Sequence, residues 1–238
     1  MPKRKIPEKI EAIQKSENKP EKKTDYEFIA QIAIVAVLAL LLVYNFGKIT
    51  ANGANIDGNA VSAAQTQSVS ASEIIPKGVP QVYGKELGIS YDDVSAVNQK
   101  LADSTINVLG SLDTSINLEG AELQRYVSIA SLISCEYCCG AESIIFPDGQ
   151  AACGCAHSYA MRGLAKYLIK NHGTEFTDDQ ILEELGKWKV LFFPDVHAQK
   201  AAVLKSKGIE LNYINLASNK YRGIEQGASA GGSMVGGC

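Results

Sequence analysis

Apolar side chains are distributed along this chain in two ways. From Phe28 to Phe46 they run almost unbroken, FIAQIAIVAVLALLLVYNF, with Gln31 the only strongly polar residue before Asn45. Beyond residue 90 they recur at intervals of three and four, the spacing that lines one face of an α-helix. Ser90 with Asp93 makes an N-terminal capping signature, and Val94, Val97 and Leu101 follow it at helical spacing. Leu123, Val127, Ala130 and Ile133 define a second helix from about Ala121 to Ser134. A third is expected from Ala156 to His172, with Met161, Leu164 and Leu168 as a core stripe and Gly173 as its cap. Thr177 and Gln180 box in a fourth, DDQILEELGKWKVLFF, which Pro194 ends; a fifth runs from about Asp195 to Lys207. Between the second and third, Pro147-Asp148-Gly149 predicts a short hairpin or tight loop that returns Cys153 toward Cys138.

The unbroken run of nineteen residues is long enough to cross a bilayer core of roughly 30 Å as a helix. Eight Lys/Arg precede it, whereas Lys48 is the only one after it until Lys77. This asymmetry places the N-terminus in the cytoplasm and the rest outside. Ile49, Thr50 and Ala51 make a poor cleavage site, so the segment reads as a signal-anchor rather than a removed signal peptide. The expected fold class is mainly α: a single N-terminal transmembrane helix, a flexible stalk and a small helical Cys-rich extracytoplasmic domain with a short hairpin or tight loop. The boundaries are a charged cytoplasmic tail over 1–27, the span over 28–46, an Ala/Ser/Asn-rich linker over 47–73, the domain over 74–216 and a Gly-rich disordered tail over 217–238.

Net charge is −3, and outside the leader no stretch concentrates Lys and Arg, which argues against nucleic acid as a partner. Sequence patterns for a Ser-His-Asp set, a zincin or a phosphate-binding loop are absent, so the chain is not read as an enzyme.

Chemistry is expected at the cysteines. Five of six fall between Cys135 and Cys155, as C-x-x-C-C and then C-x-C-x-H. The candidate metal ligands are Cys135, Cys138, Cys139, Cys153, Cys155 and His157, a thiolate and imidazole set suited to Zn or Cu. Cys153, Cys155 and His157 are spaced by two, which in an extended approach to the third helix puts them on one side. The helix start favours thiolate over thiol there. Cys139 is the weakest candidate, because its neighbour Cys138 cannot easily share a tetrahedral ion with it. His172 and His197 are expected at the surface or as caps. Met234 and Cys238 are a candidate mobile hook on the tail. The partners implied are the membrane, a metal ion and an unidentified protein. Two alternatives stay open: a disulfide-stapled structural or interaction domain, in which Cys135, Cys138 or Cys139 pairs with Cys153 or Cys155, and a thiol–disulfide oxidoreductase using Cys135 and Cys138.

Cys-Glu-Tyr-Cys-Cys-Gly over 135–140, Cys-Gly-Cys-Ala-His over 153–157 and the following TDDQILEEL segment resemble, in rearranged form, the membrane-attached bacterial proteins with a Pro-Cys-Tyr-Cys-Gly-Cys motif. The resemblance spans about residues 135–194 and implies metal binding. It departs in lacking the proline and in placing Cys-Gly-Cys in the second cluster.

Overall fold

The computed structural model describes residues 29–40, 68–226 and 234–236. The chain divides into two compact units, Met1–Val61 and Ser62–Cys238. In the first, residues 29–40 form a helix (α1) whose apolar side chains are exposed. The predicted tail over 1–27, the ends of the predicted span and the linker up to residue 67 lie outside the described residues. Among the described residues no helix is long and apolar enough to cross a membrane.

The second unit is helical, and its described residues contain only isolated β-bridges rather than strands. Two short helices, α2 (Ala71–Ile74) and α3 (Gly84–Leu87), lead in. The Ser90/Asp93 capping box forms as predicted but starts a single 3-10 turn, Tyr91–Asp93. The chain is extended at Val94, and Val97 is almost fully exposed, so the expected helix does not run through. Asn98 caps α4 (Gln99–Ser115), accepting the Leu101 N–H at 3.2 Å. The second predicted helix is α5 (Gly120–Ala130), shorter than expected at its C-terminal end. Ile133 leaves the helix to bridge Ser218 in antiparallel fashion, carrying Cys135 into a loop.

The next two helices match the pattern closely: α6 (Ala156–His172) and α7 (Asp178–Phe192), the latter with the Thr177/Gln180 capping box in place. Pro194 ends α7 and also opens α8 (Pro194–Ser206) at its first position, where a missing N–H costs nothing. A short α9 (Tyr213–Ala217) follows, then a 3-10 turn, Asn219–Tyr221.

α6 is the central element and packs along α4, α5 and α7. Its face of Ala160, Met161, Leu164, Ala165 and Leu168 is wholly buried, so Met161 belongs to the core. The α4 contact is a backbone approach at Gly163, where a methyl group would overlap the Leu109 carbonyl and sit 2.9 Å from the Asp113 nitrogen. Beside it lies a buried ion cluster: the Arg162 Nε meets Asp113 at 2.7 Å, and Lys166 meets the same carboxylate at 2.7 Å.

Two expectations are corrected. His172 and His197 are both buried. His172 is held between Glu175 (2.8 Å) and Glu86 (3.1 Å), and the His197 Nδ1 donates to the Phe193 carbonyl at 2.8 Å. The domain also continues past residue 216. Asn219 donates to the Leu132 carbonyl at 2.7 Å, Arg222 to the Ala141 and Gly140 carbonyls at 2.9 and 2.8 Å, and Gly223 to Glu136 at 2.7 Å. Polar contacts to the cysteine loop, rather than apolar periodicity, hold residues 217–226 in place. Farther on, Val235 is buried, with its N–H on the Phe192 carbonyl at 2.9 Å. The intervening residues 227–233 and residues 237–238, with Cys238, lie outside the described residues.

Candidate metal centre

The predicted turn brings the two cysteine groups together. Ile145 and Ala151 form an antiparallel bridge, the Phe146 N–H meets the Gln150 carbonyl at 2.7 Å, and Gly149 adopts a φ of +84°, which a residue with a Cβ rarely tolerates. The returning arm of the turn places Cys153 against the first cluster, where it is bonded to Cys139 in a disulfide. Cys153, by sequence the stronger candidate ligand, is thus paired with Cys139, the weakest. The Cys153 carbonyl is fixed by a 2.8 Å hydrogen bond from the buried Arg162 Nη1, which also reaches the Ile144 carbonyl at 3.2 Å, so both arms of the turn are tied to α6.

Cys135, Cys138 and Cys155 stand outside the disulfide. Cys155 is the N-cap of α6, its Sγ accepting the Ser158 N–H at 3.4 Å with the Ser158 hydroxyl at the same distance. Cys135, fully buried, puts its Sγ 3.3 Å from that of Cys155. Cys138 is exposed on the turn that follows, its N–H on the Cys135 carbonyl at 3.2 Å. His157 is fully buried on the first turn of α6, its ring between Phe192 (4.7 Å) and Phe193 (5.0 Å). Its Nε2 lies 3.0 Å from the Val235 carbonyl. A carbonyl only accepts, so Nε2 carries a hydrogen toward Val235, and the ring also hydrogen-bonds Cys155.

One ligand atom each of Cys135, Cys155 and His157 lies within 4.8 Å of the others. Cys139, Cys153 and Cys155 form a second such group. Cys155 belongs to both. Cys153, Cys155 and His157 therefore do not line one side of an extended strand: Cys155 caps the helix, His157 sits inside it, and Cys153 turns toward Cys139.

The electrostatics favour one thiolate. The Cys135 thiol donates to Cys155 and holds that sulfur well below the usual thiol range; burial opposes this, and hydrogen bonds from His157 and Ser158 assist it. The same shared proton, then burial and the Cys155 charge, push Cys135 far upward. Next to it Glu136 is almost enclosed by Lys189 (3.2 Å) and Lys200 (3.6 Å), both fully buried. Burial brings Lys189 down to about 8 against the attraction of Glu136.

Residues the sequence did not single out complete the surroundings: Val235 on His157, Arg162 on Cys153, and Glu136 with its lysines behind Cys135. Arg162 had a signal, a cation inside an apolar helical stripe. The Val235 carbonyl had none, since any residue can offer a carbonyl.

No protein-family model matches this chain, and neither a curated protein nor a solved structure matches it. The structure defines a mainly helical domain with a largely buried Cys/His cluster beside the Cys139–Cys153 disulfide.

Proposed function

We propose that this chain is a membrane-anchored, extracytoplasmic metal-binding protein that holds a soft or borderline ion, Cu(I) or Zn(II), on Cys135, Cys155 and His157. The observation that carries this reading is the convergence of one ligand atom from each residue to within 4.8 Å of the others. Two thiolates and an imidazole are the donors such ions prefer. The Val235 carbonyl on Nε2 is the kind of partner that orients a ligating histidine. Three protein donors suit an ion that is exchanged, whereas closed structural sites use four. Coordination displaces the proton that Cys135 and Cys155 share, so uptake releases acid.

The anchor and the compartment rest on the apolar run over 28–46 and on the Lys/Arg asymmetry around it. The Cys139–Cys153 bond accords with an oxidising compartment.

Full-length protein purified anaerobically in detergent should carry one ion per chain. Cys135→Ser and Cys155→Ser should each lose most of it, while Cys138→Ser keeps it. A parent protein that binds neither Zn(II) nor Cu(I) while Cys135 and Cys155 are free thiols would remove this reading. The second reading, a disulfide-stapled domain, draws on the same Cys139–Cys153 bond. It requires Cys135 and Cys155 to be oxidised with no ion bound.

A further inference from the structure

Four sulfur atoms form a continuous chain in this domain. Cys139 and Cys153 are bonded to one another. Cys155 Sγ lies within 4.8 Å of both, and on its other side Cys135 Sγ lies 3.3 Å away. Cys155 thus faces an oxidised pair and a reduced partner together, close enough for side-chain rotation to exchange them. The backbone need not move far: Cys153 is pinned through its carbonyl by Arg162, and Cys155 is fixed as the α6 cap.

We propose that the disulfide migrates within the chain, from the outer pair Cys139–Cys153 to the inner pair Cys135–Cys155, with Cys155 as the exchanging nucleophile. In the first step the Cys155 thiolate attacks Cys139 or Cys153. A mixed disulfide to Cys155 forms, and the other outer sulfur leaves with the bonding electron pair as a thiolate. In the second step the Cys135 thiolate attacks Cys155 Sγ. The Cys135–Cys155 bond forms, and the remaining outer sulfur leaves as a thiolate. Protons released by the inner pair are taken up by the outer pair. One S–S bond is broken and one is made, so no oxidant or reductant enters.

The two isomers differ in what they can bind. With the bond outside, Cys135 and Cys155 are available beside His157; with the bond inside, both are consumed. An ion on the inner set therefore holds the disulfide outside, and migration inward expels the ion. This consequence rests on the metal reading, whereas the migration itself does not. Each pair has one buried sulfur, Cys153 or Cys135, so migration replaces an exposed bonded residue, Cys139, by a half-buried one, Cys155.

The test uses the full chain, metal-free and anaerobic at neutral pH without added thiol, with molecules holding one disulfide selected by mass. After acid quenching, free thiols are blocked with one reagent; the rest are reduced and blocked with an isotopic variant, and mass spectrometry reads which sulfurs were bonded. Two populations are expected, one with Cys139 and Cys153 bonded and one with Cys135 and Cys155 bonded. Cys138→Ser should keep both, and Cys155→Ser should retain the outer bond alone. Finding only the outer pair in the parent after equilibration, or losing the inner pair in Cys138→Ser, overturns the migration. One equivalent of Cd(II), followed by its thiolate absorption, should then collapse the mixture to the outer isomer. Cd(II) that binds without shifting the ratio overturns the linkage. If Cd(II) fails to bind while both isomers are present, the metal reading falls and the migration stands.

Discussion

The Nε2 of His157 lies 3.0 Å from the carbonyl oxygen of Val235, seventy-eight residues later in the chain. The C-terminal segment thereby helps to orient the ring beside the thiols. Ending the chain after residue 233 should leave the helical content intact by circular dichroism and lower Cd(II) affinity about tenfold, the lower end of what losing such an orienting partner costs. Stability should fall by about 2 kcal/mol through the lost burial of Val235. Val235→Ala, which keeps the carbonyl, should lose stability but hold the ion nearly as well as the parent. Equal affinities in all three proteins would show that the segment does not orient His157.

Gly163 is where α6 meets α4 most closely. Gly163→Ala should destabilise the domain by about 3 kcal/mol, since the added methyl overlaps backbone that has no room to yield. Gly154→Ala, where an added Cβ meets nothing within 4 Å, should be nearly neutral. Thermal melting of the two variants side by side decides this, and comparable midpoints would contradict the close approach.

Asp113 is the anion for both Arg162 and Lys166. Asp113→Ala leaves a guanidinium with 1 % of its side chain exposed uncompensated and should cost about 3–5 kcal/mol in urea unfolding. Because Arg162 also holds the Cys153 carbonyl, the same variant should let dithiothreitol reduce Cys139–Cys153 faster under native conditions. An unchanged reduction rate would mean that Arg162 does not restrain the disulfide.

His172 and Glu86 give a pH signature. Burial disfavours the imidazolium, but its hydrogen bonds to Glu175 and Glu86 outweigh this, and the folded pKa lies above the ordinary 6.5. Glu86, accepting from Tyr167 and His172, is held below its ordinary 4.5. The His172 contribution is complete below about pH 6.5 and is lost as pH rises through its folded pKa. The Glu86 contribution is complete above about pH 4.5 and is lost as pH falls through its own. Their joint stabilisation is therefore greatest between those values. Relative to His172→Gln, the parent should show its largest stability advantage near pH 5.5, shrinking toward pH 8. An advantage that grows with pH would reverse the assignment.

Helices with a strong stripe and a strong cap were legible from residues alone. Thr177 with Gln180 marked the start of α7, and the Ala156–His172 boundaries of α6 follow from its apolar spacing and Gly173. Ser90 with Asp93 misled because a capping box satisfies donors equally well in a single 3-10 turn, and an exposed Val97 has no face to bury. The Pro147–Gly149 turn was readable as well, and with it the meeting of the two cysteine groups. Which sulfurs pair was not, since Cys138, Cys139, Cys153 and Cys155 are chemically equivalent until the backbone aims them. Residues 217–226 looked featureless because backbone carbonyls and the single side chains Asn219 and Arg222 hold them, and neither leaves a periodic trace.

The Gly163 contact reaches further than packing. Cys155 and Gly163 sit on one rigid helix, eight residues and roughly 12 Å apart along its axis. Cys135 belongs to a separate loop held by Glu136 and the segment after α9. The close approach at Gly163 thus fixes the backbone position from which the Cys155 sulfur reaches toward Cys135, and side-chain rotation sets the rest of the gap. Backbone packed two turns away therefore bounds the range of sulfur spacings, and so of ionic radii, that rotation of the two side chains can cover.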